Sequence, residues 1–559
     1  MRSWVLLGMV AACGASPVTP GGDDDAPPPC TTVAGTFHAL AITSGGEARA
    51  YFLHIPEAAR CEMSPLWIDF HGTAGDMPEE AYGTDEAIAV ADAEAVILVR
   101  PRSRSSVVSG ANIYRWDENA GDLDRNRAFV RDLVADLEQH YAIDPSRIIV
   151  SGFSSGANMA AQYLRPDELA VAGVATIGGG FWDVPASALT RIPAHVYSVT
   201  GFRDYMTQSF EPLRDLYRAA RLDDDRWYWR QANTGHELYG WHMAELVPWL
   251  LRGERSPRGT LASDWTNESI LTSKAILSFA STTSGLIAGT SEGGAFRRGT
   301  SGWAPVGALP ATAHVTSMCS DGTKLFAAAE MALFTSANDG TSWTQLANVP
   351  EPEGAYFGAA WLTAIDCAAD RSLLGAGLWV GVESTDHAAS WQAAPVTMTR
   401  AGVSFEASIA ALARNPSGTA VAVGLDFMGR RASGGAFEML APPVGLQVGP
   451  AWWNGVAAVG DKFWTVGDAG AIVASTDDGV TWTAQPSSIG EDLYAVAFAD
   501  AQTGAAVGQH GAVVVTHDGG KSWSRVPFGL DVFLGAVTWL DPHTLVVAGE
   551  AGTIARHML

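Results

Sequence analysis

The sequence predicts two folded domains: an α/β layer, with a mostly parallel sheet and helices on both faces, followed by an all-β propeller of seven blades. Three observations carry this. The chain has 559 residues, more than one hydrophobic core holds. Strand-like and helix-like stretches alternate up to residue 252. Beyond residue 259 helical periodicity gives way to a repeat that ends in tryptophan.

Composition sets the outer bounds. Hydrophobic residues make up 47% and charged residues 17%, a globular balance. Sixty acids against 35 bases leave a net charge of -25. That charge disfavours nucleic acid and anionic membrane as partners drawn by long-range attraction.

The N-terminus reads MRSWVLLGMVAACGAS. One arginine, a short apolar run and small residues make an export signal, too short for a stable bilayer span. Val10-Ala11-Ala12-Cys13 resembles a bacterial lipobox. The resemblance implies cleavage before Cys13, lipid on Cys13, and a membrane contact made only through that anchor at the cell envelope. The competing reading is an ordinary cleaved signal and a secreted chain. Residues 14–33, rich in Pro, Gly and Asp, read as a flexible tether. In an oxidising compartment Cys30 can pair with Cys61, and Cys319 with Cys367; the sequence leaves both pairings open.

The first domain spans 34–252. ARAYFLHI, LWIDF, AEAVILV, RIIVSGF, VAGVATI, AHVYSVTG and RWYWRQA read as strands, rich in β-branched and aromatic residues. The segment from Asn126 places Phe129, Leu133, Val134 and Leu137 on one helical face. Within this alternation, IIV ends a strand and ANMAAQYL starts a helix, with Gly152-Phe153-Ser154-Ser155-Gly156 between them. This matches G-x-S-x-G, so Ser154 is the candidate nucleophile. Gly152 and Gly156 are needed because bulkier side chains would collide with backbone in so tight a turn. The helix N-terminus that follows favours developing negative charge. Ser151 reads as structural.

A serine nucleophile needs a base and an orienting acid. Asp204, in VTGFRDYM, and His236, in QANTGHELYGW, each follow a predicted strand, in the chain order Ser, Asp, His. The rivals are Asp183 for the acid and His242 for the base, although His242 falls inside the next predicted helix. The backbone N–H groups of Ser155 and Thr73 are the expected oxyanion donors, Thr73 through the FHGTAGD loop. Arg100, Arg102 and Arg104 read as a loop balancing nearby acids rather than as a substrate clamp. No metal-ligand spacing or cofactor fingerprint stands out, so no metal and no cofactor are expected.

FHGTAGD, AFVRDLVADLEQHYAIDPSRIIVSGFSSGANMA, TGFRD and TGHELYGW together resemble the poly(3-hydroxybutyrate) depolymerase and feruloyl esterase group of α/β-hydrolases. The resemblance covers most of residues 48–250 and implies an exported serine esterase acting on a polymeric or a small ester. Two positions depart from that group. Thr73 stands where it commonly has cysteine, and Asn233-Thr234 where it has a glycine run. These departures leave the substrate open.

Residues 253–258 form a polar linker, and 259–559 carry the repeat. SANDGTSW, STDHAASW, STDDGVTW and THDGGKSW align, ending at Trp343, Trp391, Trp482 and Trp523. Weaker copies end near Trp303 and Phe437. Seven apolar strands, ILSF, VTSM, LTAI, IAAL, GVAA, YAVAF and GAVTW, precede the units. The spacing of about 43 residues suits one four-stranded blade. The last unit lacks its tryptophan strand, and ASDWTNE around Trp265 is expected to close the ring. The motif S-x-D-x-G-x-x-W resembles the Asp box of BNR-type propellers, a structural turn. A sialidase would need arginines on the inner strands, and these seven stretches have none.

The leading expectation is therefore a surface-tethered serine esterase with a propeller that binds or spaces. The propeller ligand is open among polysaccharide, polymer and surface protein. One alternative is an adhesion or scaffold protein whose hydrolase half is inactive. Another is a serine peptidase.

Overall fold

The computed structural model describes residues 32–559, apart from 76–83, 109–110, 117–119, 181–189, 205, 223–224, 233–234, 237–239, 311–312, 330–331, 348, 351–360, 401–402, 447–449 and 451. Cys13, Cys30 and Asp183 lie outside the described residues.

Seven four-stranded antiparallel sheets form a propeller. Its inner strands are Ile276–Thr282, Val315–Ser320, Trp361–Cys367, Ile409–Arg414, Trp453–Val459, Leu493–Phe498 and Leu534–Asp541, one per blade. The ring closes as the missing last strand requires: Trp265–Asn267 pairs antiparallel with Ile554–Met558 and completes the seventh blade. Closure removes two open strand edges. Cys319 and Cys367, at the ends of neighbouring inner strands, form a disulfide with Cα atoms 5.6 Å apart. Cys61 is also disulfide-bonded.

The Asp boxes are local turns. In the one on the third blade, the Ser384 hydroxyl donates to Asp386, and the Asp386 carboxylate accepts from the Ser390 N–H (2.8 Å) and the Ser390 hydroxyl (2.5 Å). Those bonds hold the Asp386 carboxyl down to about 2. Asp477 and Asp518 repeat the pattern with Thr481 and Ser522. The inner strand of the fourth blade runs two residues further than IAAL suggests and ends at Arg414, which is ion-paired to Asp366 at 2.9 Å.

Ahead of the propeller lies an eight-stranded mixed sheet. Its strands are β1 (Gly35–Ser44), β2 (Glu47–Ile55), β3 (Ser64–Phe70), β4 (Ile97–Pro101), β5 (Ile143–Phe153), β6 (Gly173–Ile177), β7 (His195–Gly201) and β8 (Trp227–Ala232). They lie in the order β1-β2-β4-β3-β5-β6-β7-β8. The last six are mutually parallel, and β1 and β2 run antiparallel at one edge. Alternation along β3 splits the core: Leu66, Ile68 and Phe70 face one side, Trp67 the other. α2 (Ala120–His140) covers the first face with Phe129, Val130, Leu133, Val134 and Leu137. α1 (Thr84–Glu94) and α5 (Gly240–Arg252) cover the second with Ala87, Ala91, Leu246, Val247 and Leu250. The remaining helices are α3 (Ser155–Ala161) and α4 (Thr207–Ala219).

The expected fold class, a two-domain α/β-hydrolase followed by a propeller, is corrected here. The fold is dominated by the seven-bladed propeller, and strand prevails along the chain. The described residues hold only five α-helices. The helical patterning of residues 34–252 marked helices that exist but overstated their share of the fold. Among the described residues no helix is long and apolar enough to cross a membrane.

The sheet half packs on the propeller face that carries the turns between second and third blade strands. Arg230 of β8 is ion-paired at 3.0 Å to Glu550, in the turn of the seventh blade. Arg218 of α4 donates to Glu292, in the turn of the first blade, at 2.6 Å. The Phe202 ring lies 4.4 Å from that of His314.

Candidate functional site

Ser154 sits between β5 and α3 at φ 56° and ψ -120°, a left-handed conformation that non-glycine residues rarely adopt. The flanking glycines are needed sterically. A Cβ on Gly152 would lie 2.1 Å from the Gly156 carbonyl oxygen, and one on Gly156 would lie 2.1 Å from that of Phe70. The Ser154 N–H donates to the Ile177 carbonyl at 3.0 Å, tying the turn to β6. Beneath it Ser151 is structural: it accepts from the Trp67 indole and donates to Asp69, which is ion-paired with Arg100.

Asp204 follows β7 and is almost fully buried. Its Oδ1 accepts from the Met206 N–H at 2.7 Å, and its Oδ2 lies 2.9 Å from His236 Nδ1. An ionised carboxylate only accepts, so Nδ1 carries the proton and Nε2 is left as the basic nitrogen. The Phe153 ring stacks on His236 with centroids 4.8 Å apart. Gly178, at φ 54°, lies against both partners: a Cβ there would be 3.2 Å from Asp204 Oδ2 and 3.4 Å from the His236 ring. Sequence reasoning passed over Phe153 and Gly178, although the run Gly178-Gly179-Gly180 after a strand was a visible signal.

Ser155 opens α3 and is buried, whereas Thr73 is exposed. His71, beside it, is held neutral and structural. Burial pushes its imidazole down to about 4, its Nδ1–H donates to the Gly72 carbonyl, and Nε2 accepts from the Ser103 N–H. His242, the rival base, is buried in α5, where burial and the nearby Arg230 charge push it well below its ordinary value. Arg104 pairs with Glu47 and Asp122, whereas the Arg102 guanidinium lies over Tyr114 and Arg100 is a strand residue paired with buried Asp69.

The propeller brings residues to the same place. Arg203 donates to the Asn454 carbonyl at 2.6 Å and stands at the end of the propeller's central channel, a cavity of 240 Å³. Gly235 lies against the Trp452 ring, to which a Cβ would come within 2.8 Å. A separate groove of 1060 Å³ runs along the third and fourth blades to the edge of the fifth, and Glu383, Gln392, Arg414, Asn415 and Arg431 are among its lining residues. Among the described residues no group of three or more His, Cys, Asp or Glu is placed to hold a metal ion.

No protein-family model matches the chain, and no curated protein matches it. Solved structures do. YCF48 from Cyanidioschyzon merolae is 14% identical with a TM-score of 0.44, over 53% of this chain and 99% of its own. YCF48 bound to a D1 peptide is 17% identical with a TM-score of 0.43, over 54% and 100%. The RRP9 WD40 repeats are 10% identical with a TM-score of 0.42, over 54% and 99%. The expected membership of the poly(3-hydroxybutyrate) depolymerase and feruloyl esterase group, and the exported ester hydrolase it implied, are corrected accordingly. The architecture that prevails is the seven-bladed propeller, with five α-helices among the described residues.

Proposed function

We propose that the chain is a propeller-based scaffold protein that holds a polar partner, in keeping with a role at a surface. The observation that carries this is the 1060 Å³ groove along the third and fourth blades. Two ion pairs, Arg414 with Asp366 and Arg431 with Glu383, stand in it beside Asp370, so the groove offers directed donors and acceptors rather than a single-sign field. That lining suits an extended polypeptide of a partner protein, whose backbone presents both. The sheet half caps the opposite end of the blades. Binding of the full chain to an immobilised peptide library tests this. Signals lost in Gln392→Ala and Arg431→Gln support the groove; signals unchanged in both would reject it.

One observation favours a second reading, serine acyl transfer: a strained serine lies on the edge of the sheet that also carries a His236–Asp204 pair. In this reading Ser154 Oγ attacks an ester carbonyl, and His236 Nε2 takes its proton. Asp204 holds Nδ1–H and stabilises the imidazolium. The N–H groups of Ser155 and Thr73 hold the oxyanion, and water releases the acyl group. Fluorophosphonate labelling and p-nitrophenyl acetate turnover, each lost in Ser154→Ala, support it. A folded wild-type chain that neither labels nor turns over removes it.

A further inference from the structure

The Asp boxes also join the blades. In the second, third, fifth and sixth blades the hairpin that carries the box holds eight residues, and its fourth residue meets the preceding blade. Asp339 accepts from the Ser284 hydroxyl of the first blade at 2.5 Å. His387 lies 2.5 Å from Asp321 of the second. Asp478 accepts from Asn415 at 2.7 Å and from the Thr419 hydroxyl at 2.8 Å, both of the fourth. The Gly519 carbonyl accepts from the Trp464 indole of the fifth at 3.0 Å. Each contact latches one blade to the next.

The joint between the third and fourth blades departs from this. The fourth blade's hairpin, 431–437, holds seven residues and no carboxylate. Two ion pairs hold the joint instead, Arg414 with Asp366 and Arg431 with Glu383. Asp370 of the third blade belongs to neither. It is built as Asp321 is. Asp321 Oδ1 accepts from the Thr323 N–H and hydroxyl, each at 2.8 Å. Asp370 Oδ1 accepts from the Ser372 N–H at 2.9 Å and hydroxyl at 2.6 Å. The second oxygen of Asp321 meets His387, whereas that of Asp370 bonds none of the described residues.

The 1060 Å³ groove opens at this joint, with exposed Asp370 and Ser433 both in its lining. Its two arginines are already engaged, so Asp370 is the one carboxylate of the lining outside an ion pair. The bonds from Ser372 hold the Asp370 carboxyl below its ordinary value, and it is charged at neutral pH. Resting on the reading of the groove as the seat of an extended polypeptide, we propose that this polypeptide brings a basic side chain to Asp370, in the place that His387 takes at Asp321. The net charge of -25 draws a basic segment towards the chain, and the pair at Asp370 sets its register.

The test is binding of the full chain to immobilised random nonapeptides, sorted into sets whose central residue is arginine, lysine, glutamine or glutamate. The arginine and lysine sets should bind about fivefold better than the glutamine set. Asp370→Asn should erase that preference, and it keeps the Oδ1 that accepts from Ser372, so the turn still forms. Asp370→Arg should turn the preference to glutamate. Asp500→Asn removes the same charge from a similar turn of the sixth blade, outside the groove, and should bind as the wild type does. Binding by no set would reject the groove reading and the proposal with it. Three results leave the groove standing and overturn the proposal alone, provided that binding falls in Gln392→Ala and Arg431→Gln. They are no basic preference, a preference unchanged in Asp370→Asn, and a preference lost equally in Asp500→Asn.

Discussion

Replacing Arg230 with methionine should separate the two halves energetically. Arg230 sits in the middle of β8 and is 1% exposed. It donates to Glu245 on α5, is paired at 3.0 Å with Glu550 of the seventh blade, and lies 3.8 Å from Asp531. Its guanidinium lies 5.0 Å from the Phe533 ring centre. Burial pushes the guanidinium down, but Glu550 and Glu245 outweigh this and hold it well above its ordinary value. Burial likewise pushes the Glu245 carboxyl up, against the pull of Arg230. Removing the arginine takes the ion-pair partner from buried Glu245 and leaves buried Glu550 with the more distant Arg258, at 3.6 Å. Such a loss costs about 3–5 kcal/mol, whereas replacing all the partners by apolar groups costs far less. Arg230→Met should therefore lower urea stability by about 3–5 kcal/mol. Adding Glu550→Gln should return part of that loss, since one of the charges that lost Arg230 is gone. Unfolding followed by tryptophan fluorescence and far-ultraviolet dichroism should split into two transitions in Arg230→Met and coincide in the wild type. A loss below about 1 kcal/mol, or no recovery in the double variant, would refute the argument that this cluster clamps sheet to propeller.

Three further outcomes follow from the same physics. His71 and His314 are pushed down by burial to about 4 and about 3. Their folded values lie below the unfolded value near 6.5, so their stabilisation is complete above about pH 6.5 and is lost as pH falls to about 4 for His71 and about 3 for His314. His71 alone contributes about 3 kcal/mol to that loss, and His71→Asn should flatten the acid limb of Tm against pH. Alanine at Gly152 or Gly156 puts a Cβ 2.1 Å from a carbonyl oxygen and should cost about 3–5 kcal/mol, read as a lower urea midpoint. Changing Cys319 and Cys367 together to serine opens a loop of 48 residues and should lower stability by about 4 kcal/mol; a loss under about 1 kcal/mol would show that the closed ring already holds these blades in register.

What the sequence made legible was the local and the periodic. The Asp boxes, the seven inner strands and the closing strand at Trp265 all repeat or complete a pattern, and a repeat declares itself without any knowledge of distant contacts. The turn at Ser154 was legible for a similar reason: two glycines in five residues answer a clash within the same turn and with the neighbouring strand. The pairing of His236 with Asp204 bridges 32 residues, and strand ends alone pointed to it. Fold class was misjudged because helical amphipathicity is a loud signal, whereas each short strand carries little. Contacts between the halves were not legible at all. In the sequence Arg230 is one charge in the aromatic stretch RWYWRQA, and Arg203 precedes Asp204 in TGFRD. Their partners, Glu550 and Asn454, lie more than 250 residues away. Trp379 shows the limit most sharply. By composition it belongs to a strand, yet its backbone is left-handed, and only the assembled ring shows that it stands beside Asp426 over His236. A repeat is read by what recurs. The residues that give one propeller its own chemistry are those that break the recurrence, and from sequence alone a break looks the same as drift. It acquires meaning when the break falls at a joint between blades, as the short hairpin at Ser433 does beside Asp370, and a groove stands open there.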